Sequence, residues 1–305
     1  MIKRVTPYLY LFDIHFNIYI LKSQGEVALI EGGVSSLYPP LKRVLKELGI
    51  EMERIRRAFL LHAHADHMMA FSAMKGEHPH IEIWGSEGAA ETLRRERVWQ
   101  RIVQLDHQLQ EGLRKYRGLP PSSPGERLLI DRVIEDGEEI QVGKERLRAI
   151  YTLGHSPCSL SLYLNEEVLL VSDSLGGWFH LGRGGLHPSY FYDLGEFLKT
   201  RERLSEIPCD ILCLGHNGYL KGEGRIRKFY QDMYEALSSF IDDVDKRLRS
   251  ADDLDRLSRS WAKGWHRGFL RFFPLGFHVE GARLIIRRTL EYLGKDDLIR
   301  ELFPS

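Results

Sequence analysis

Residues 60–69 read LLHAHADHMM. Three histidines and an aspartate fall between positions 62 and 67, directly after the apolar run Ala58-Phe59-Leu60-Leu61. Such groups are costly to desolvate at the end of a buried strand unless something pairs with them. A bound metal would offset that cost. In a loop leaving a strand, alternation turns the rings of His62 and His64 to one side. Asp66 and His67 then turn toward a second position at the start of the next helix. Imidazole and carboxylate without thiolate suit zinc, ferrous iron or manganese in a hydrolytic site. Four residues cannot complete two coordination spheres, so this reading demands further His and Asp downstream, each at a strand end.

They are present. In LGHSP (153–157) His155 follows the strand-like LRAIYTL; in VLLVSDS (168–174) Asp173 follows an apolar strand; in ILCLGHN (211–217) His216 follows another. The C-terminal ends of such strands are where an α/β fold gathers its functional loops. An anion such as Asp173 is suited to bridge two cations.

Around these motifs the patterning predicts strands at 8–12, 17–23, 26–31, 57–61 and 81–84, with a helix over 37–48 stopped at Gly49. Ser86 is an N-cap for one long helix over 87–117, where Trp99, Ile102, Leu105, Leu109, Leu113 and Tyr116 form a stripe, read as core or a homodimer face. Short strands return over 130–171, then a helix over 190–206 and a strand over 210–214. From about residue 225 the pattern is helical, with helices at 226–248, 253–263 and 279–303. The expected layout is an α/β catalytic body over residues 1–224 and an all-helical extension over 225–305.

Composition narrows the function. Lys+Arg and Asp+Glu are both 43 in 305 residues, which gives no basic footprint for nucleic acid and no basis for a membrane partner. The N-terminal MIKRVTPYLYLFDIHFNIYIL is broken by Pro7, Asp13, His15 and Asn17, so it reads as strands and not as a signal peptide. Three cysteines (Cys158, Cys209, Cys213) suit a reducing cytoplasm. Cys209 and Cys213 read as core thiols, and Cys158 as a small buried side chain. His78 and His80 read as a surface loop, His15, His107 and His187 as ordinary, and His278 as a residue of the helical extension.

HAHADH, GHS, SD and GH, in that order, resemble the metallo-β-lactamase-fold hydrolases over most of residues 8–220. The resemblance implies an αββα sandwich with the site at one edge. It implies two divalent cations, zinc first, with iron or manganese also fitting. One would be held by His62, His64 and His155, the other by Asp66, His67 and His216, with Asp173 bridging. A water shared by the two cations is then acidified to hydroxide, which attacks a carbonyl carbon, and Asp66 orients it or takes its proton. The chain departs from the pattern at Glu31-Gly32-Gly33, where many members have aspartate. That residue supports the ligand loop from behind, and the longer side chain changes the fit there.

A narrower likeness rests on VALIEGGVSS (27–36), the helix after SEGAAETL, SDSLGG (172–177) and FHVEGARLIIRRTLEYL (277–293). These resemble the quinolone-signal response thioesterases, whose helical C-terminal extension caps the pocket. The implied activity is hydrolysis of an acyl or aryl thioester. Lactones and glutathione thioesters of the glyoxalase II kind are the nearest alternatives, and a metal-binding regulator acting through a protein partner is the alternative from another class. Under the cap reading, deleting 225–305 changes substrate choice while metal content persists.

Overall fold

A computed structural model describes residues 2–176 and 187–304. The chain divides into two compact units. The first is formed by the chain up to Thr152 with Pro157–Ser172 and Pro208–Leu220. The second is formed by Leu153–Ser156, the described part of Asp173–Ile207, and the chain from Lys221 on.

The first unit contains two sheets. One runs in chain order through β1 (Ile2–Arg4), β2 (Leu9–Ile14), β3 (Phe16–Ser23), β4 (Glu26–Ile30), β5 (Ile55–Leu60), β6 (Glu82–Gly85) and β7 (Arg132–Val133). Its first four strands are antiparallel neighbours, joined by short links. From β4 onward the pairs are parallel, and parallel neighbours need crossovers. Helix α1 (Tyr38–Glu47) makes the first and α2 (Ala65–Glu77) the second. The third passes through α3 (Glu87–Arg94) and α4 (Glu96–Arg117).

The other sheet has the order β13-β12-β11-β10-β9-β8, from β8 (Glu139–Val142), β9 (Glu145–Tyr151), β10 (Leu160–Leu164), β11 (Val168–Ser172), β12 (Ile211–Leu214) and β13 (Tyr219–Lys221). Alternate residues of both sheets meet in one core, among them Leu9, Leu11, Tyr19, Leu21, Ala28 and Ile30 from the first. Leu147, Ala149, Leu160, Leu162, Val168, Leu170, Ile211 and Cys213 come from the second. Strands β10 and β11 are buried on both faces, which is why β11 begins as the unbroken apolar run VLLV. Two sheets flanked by helices, followed by C-terminal helices, give the expected α/β sandwich class.

The second unit has its own core. Tyr190, Leu194 and Phe197, from the segment holding α5 (Leu194–Ser205), pack with Leu237 and Val244 of α6 (Glu223–Arg247). Trp261 and Trp265 of α7 (Ala251–Trp265) and Ile285, Ile286 and Leu290 of α8 (Leu275–Tyr292) join them, with Leu302 of α9 (Asp296–Leu302). No described helix is long and apolar enough to cross a membrane.

Two helix boundaries correct the sequence reading. The helix expected over 87–117 is broken at Arg95, whose backbone is extended (φ −84°, ψ 110°). Residues 94–97 are all exposed and include no apolar side chain, so no buried face holds the helix through them. The helix expected over 279–303 ends at Tyr292 because Gly294 turns left-handed (φ 67°). The Lys295 N–H then reaches Leu290 O and the Gly294 N–H reaches Glu291 O, the paired closure that glycine allows at a helix end.

Candidate metal centre

β5 delivers the chain at Leu60, and α2 begins only at Ala65. His64 occupies the N-cap position in extended conformation (φ −89°, ψ 151°), and Asp66 lies in the first turn, where the helix dipole favours an anion. His62 and His67 are almost completely buried. The His62 ring lies 4.7 Å from that of His64 and 4.1 Å from that of His67. β12 ends at Leu214, two residues before His216. The backbone at His216 pairs with Phe16, and its ring lies 5.0 Å from that of His67.

Within the first unit, the donor atoms of Asp66, His67 and His216 lie within 4.8 Å of one another, as do those of Glu31, His62 and His67. Asp66 Oδ2 stands 3.4 Å from Nε2 of His67 and 3.4 Å from Nε2 of His216. The opposite ring nitrogen of each histidine is held by protein. His216 Nδ1 donates to His15 O at 3.2 Å, and His67 Nδ1 donates to Glu31 Oε2. Such a donation fixes the tautomer and points the Nε2 lone pair toward the centre.

Glu31 is fully buried where β4 ends, in left-handed backbone (φ 68°). Its N–H donates to Phe59 O at 3.0 Å. Its Oε2 accepts from Ser172 Oγ at 2.9 Å, and that hydroxyl also lies 3.1 Å from His62 Nδ1. One carboxylate and one hydroxyl thus organise two histidines from beneath. The following glycine is needed for closeness: a Cβ on Gly32 would stand 2.9 Å from the Phe71 ring and 3.1 Å from Met68 Cα, both on α2.

Backbone strain marks the same place. Among the described residues, non-glycine left-handed conformations occur at Gln24, Asn165 and Glu166, in turns between strands, and at His15, Glu31, Ser172 and Asn217. The last four bond to, or adjoin, proposed ligands. Each costs about 1–3 kcal/mol, and such outliers cluster at functional sites.

The second unit places His155 and Asp173. His155 Nδ1 donates to Ser189 O at 2.6 Å, and its Nε2 lies 3.9 Å from Asp173 Oδ2. Gly154 O accepts from the N–H groups of Tyr192 and Asp193, both at 3.1 Å. Gly154 has φ 117°, and a Cβ there would lie 2.3 Å from the Phe197 backbone, so only glycine fits.

The sequence motifs therefore fall into two groups. His62, His64, Asp66, His67 and His216 gather in the first unit, and His155 with Asp173 in the second. His15, read as ordinary, supplies the carbonyl that anchors His216, and Ser189 supplies the one that anchors His155. A carbonyl belongs to every residue, so no sequence signal marks these. Ser172 is visible in the sequence only as the neighbour of Asp173. Cys158 is buried, and its Sγ accepts from the Ala63 N–H at 3.3 Å. Cys213 is a core thiol, its pKa pushed up by burial. The His187 ring packs against Trp265 at 4.1 Å, and desolvation, reinforced by the His278 imidazole, pushes its pKa down to about 3. The SDSLGG stretch ends at Gly177, which lies outside the described residues.

Residues 16–216 match the model of the metallo-beta-lactamase superfamily. Glyoxylase B2 of Dictyostelium discoideum is 26% identical over 131 residues, which are 43% of this chain and 38% of that protein, so the chain spans well under half of that relative. A metallo-beta-lactamase family protein from Thermus thermophilus shares the fold with a TM-score of 0.64 at 22% identity, over 96% of this chain and 95% of that one. An archaeal metallo-beta-lactamase superfamily protein from Sulfolobus tokodaii does so with a TM-score of 0.56 at 17% identity, over 93% and 98%. At these identities the structural likeness is one of fold.

Proposed function

The chain belongs to the metallo-beta-lactamase superfamily, and from that premise we propose that it is a dinuclear metal-dependent hydrolase of thioesters or other carboxylic esters. The observation that carries this reading is the convergence of Asp66, His67 and His216, with donor atoms within 4.8 Å and both imidazoles anchored through Nδ1. That donor set fits a divalent cation of the zinc, iron or manganese class.

In this proposal Asp66, His67 and His216 would hold one cation and His62, His64 and His155 the other, with Asp173 available to both. Bound divalent cations acidify a water and stabilise negative charge on a carbonyl oxygen. The side chain of Asp66 is 23% exposed while those of His67 and His216 are 1% exposed. Its carboxylate is therefore the member of that set able to orient an entering water or accept its proton. Glu31 and Ser172 hold His62 and His67 still while this happens. A thiolate departs without a proton donor, which favours thioesters over amides. Residues 225–305 are assigned the choice of acyl or aryl group, and residues 1–224 the chemistry.

A second reading, a glyoxalase II-like hydrolase of a glutathione thioester, is favoured by the identity to Glyoxylase B2. Elemental analysis of protein purified without chelators, paired with a panel of acyl, aryl and glutathione thioesters, tests both. The expected result is a pair of divalent ions per chain and turnover that chelation abolishes. Full metal occupancy with no turnover of any ester would replace the hydrolase reading with that of a metal-holding regulator.

A further inference from the structure

Apart from Arg225, the exposed cations on α6 and α8 pair with an acid, most of them one helical turn away. Arg227 pairs with Glu223, Lys228 with Asp232, Lys246 with Asp242, Arg247 with Asp243 and Arg287 with Glu291. That is ordinary solvated-face chemistry. RLSRSWAKGWHR (256–267) contains no acid; Arg256 and Arg259 still pair with Asp253 and Asp255 one turn earlier, whereas Lys263 and Arg267 depart from the pattern. Leu257, Trp261, Ala262 and Trp265 are buried. Arg256, Arg259 and Lys263 therefore share the exposed side of α7 at three- and four-residue steps, and Arg267, also exposed, follows the helix end.

These four, with Ser260 and Gly264, line an open groove of about 540 Å³. A Cβ on Gly264 would meet nothing within 4 Å, so the wall there is bare backbone. Asp253 pairs with Arg256, and Asp255 is shared between Arg259 and Arg283 of α8. No carboxylate among the described residues pairs with Lys263 or Arg267. Cations near a helix C-terminus complement its dipole, which accounts for Lys263 and Arg267 singly. It accounts neither for the absence of acids across three turns nor for a groove between the side chains.

We propose that this groove on α7 binds a phosphate-bearing small molecule through Arg256, Arg259, Lys263 and Arg267, with the Ser260 hydroxyl as a further donor. Guanidinium forks match phosphate oxygens in pairs, and Lys adds a point charge. From Arg256 to its end at Trp265, α7 rises about 14 Å at about 1.5 Å per residue, and Arg267 follows the helix end. A row of that length suits a nucleoside diphosphate, whereas a single carboxylate would engage one cation and leave the others. The inference stands on this helix and does not depend on the hydrolase reading.

Calorimetric titration of the full chain with ADP tests it. Saturable binding is expected, weakened at least tenfold in K263E/R267E and weakened again by added salt. Because both side chains are exposed, the melting curve should hold; K263Q/R267Q serves if the charge reversal fails to fold. Binding should persist in His64→Ala, so loss of a proposed metal ligand and loss of this groove are separable. Absence of binding, or equal affinity in the double variant, overturns the proposal. Two sources of the phosphate are distinguished by kinetics. If it belongs to the thiol half of a substrate, K263E/R267E raises KM for a coenzyme A thioester but not for the matching N-acetylcysteamine thioester. If it belongs to a separate ligand, both KM values hold and only ADP binding falls.

Discussion

Glu31 shows how much rests on one carboxylate behind the proposed ligands. It accepts from His67 Nδ1 and from Ser172 Oγ, and Ser172 in turn lies against His62. Glu31→Gln keeps the shape and removes the charge, so His67 loses its anionic partner. Metal affinity is expected to fall by about 10–100-fold, the usual consequence of losing such support. Chelator competition on wild type and variant would read it, and unchanged affinity would remove Glu31 from this role. Gly154 makes a different demand. With φ 117° and a Cβ only 2.3 Å from the Phe197 backbone, Gly154→Ala must displace α5 or the turn that carries His155. A loss of about 2–4 kcal/mol is expected, seen as an earlier urea midpoint. The ligand candidates themselves were legible in the sequence, because histidines crowded directly after an apolar run are costly to bury unless a metal pairs with them. Their supports were not. His15 and Ser189 act through carbonyls, and Glu31 could be recognised as a departure but not as the partner of a particular nitrogen.

Strands were more legible than helix ends. Alternation and unbroken apolar runs locate β2, β3, β4 and β5 closely, since those patterns follow directly from burial on one or two faces. Helix ends depend on local geometry that a stripe of leucines does not report. The break at Arg95 rests on an exposed, wholly charged tetrad, and the stop at Gly294 on a glycine that outweighs Leu293 and Leu298 on either side. One cap was readable: Ser86 accepts from the Ala89 N–H at 3.2 Å. Ser250 is not read as a cap, because the helix is expected to start at 253, yet it does the same for α7 and accepts from the Asp253 N–H at 3.3 Å. Ser250→Ala should cost about 1 kcal/mol and shift the thermal midpoint down by a few degrees. Ser250→Asp, which restores an acceptor, should recover most of it. Equal midpoints for all three proteins would show that the cap is idle.

The division into two units changes what a truncation would do. Tyr190, Leu194 and Phe197 share a core with Leu237, Val244 and Ile286. Removing 225–305 would therefore uncover apolar side chains of the segment 187–207, not merely detach an appendage. Such a deletion is expected to yield poorly soluble protein with a lowered melting temperature, measurable by light scattering and calorimetry. A monodisperse, cooperatively melting fragment would contradict this. Metal removal acts on the whole molecule by mass action, because only the folded state assembles the donors. At about 1,000-fold excess over the dissociation constant a bound ion contributes about 4 kcal/mol. EDTA treatment should accordingly lower the melting temperature by several degrees, and readdition of zinc or manganese should restore it. A midpoint indifferent to both would show that the donors need no ion to hold their places.

His67 leaves the ribosome early, yet Asp66 and His67 meet His216 only after β12 has been made and laid beside β11. At about 5–20 residues per second, the nascent chain carries its histidine-rich loop for many seconds before the third donor exists. Under the proposed reading, an ion captured in that interval would be held by fewer donors than the finished set offers. If the proposed centre holds a metal, its identity would therefore be settled by the pool around the chain when synthesis of the second sheet finishes, not by what the loop first meets.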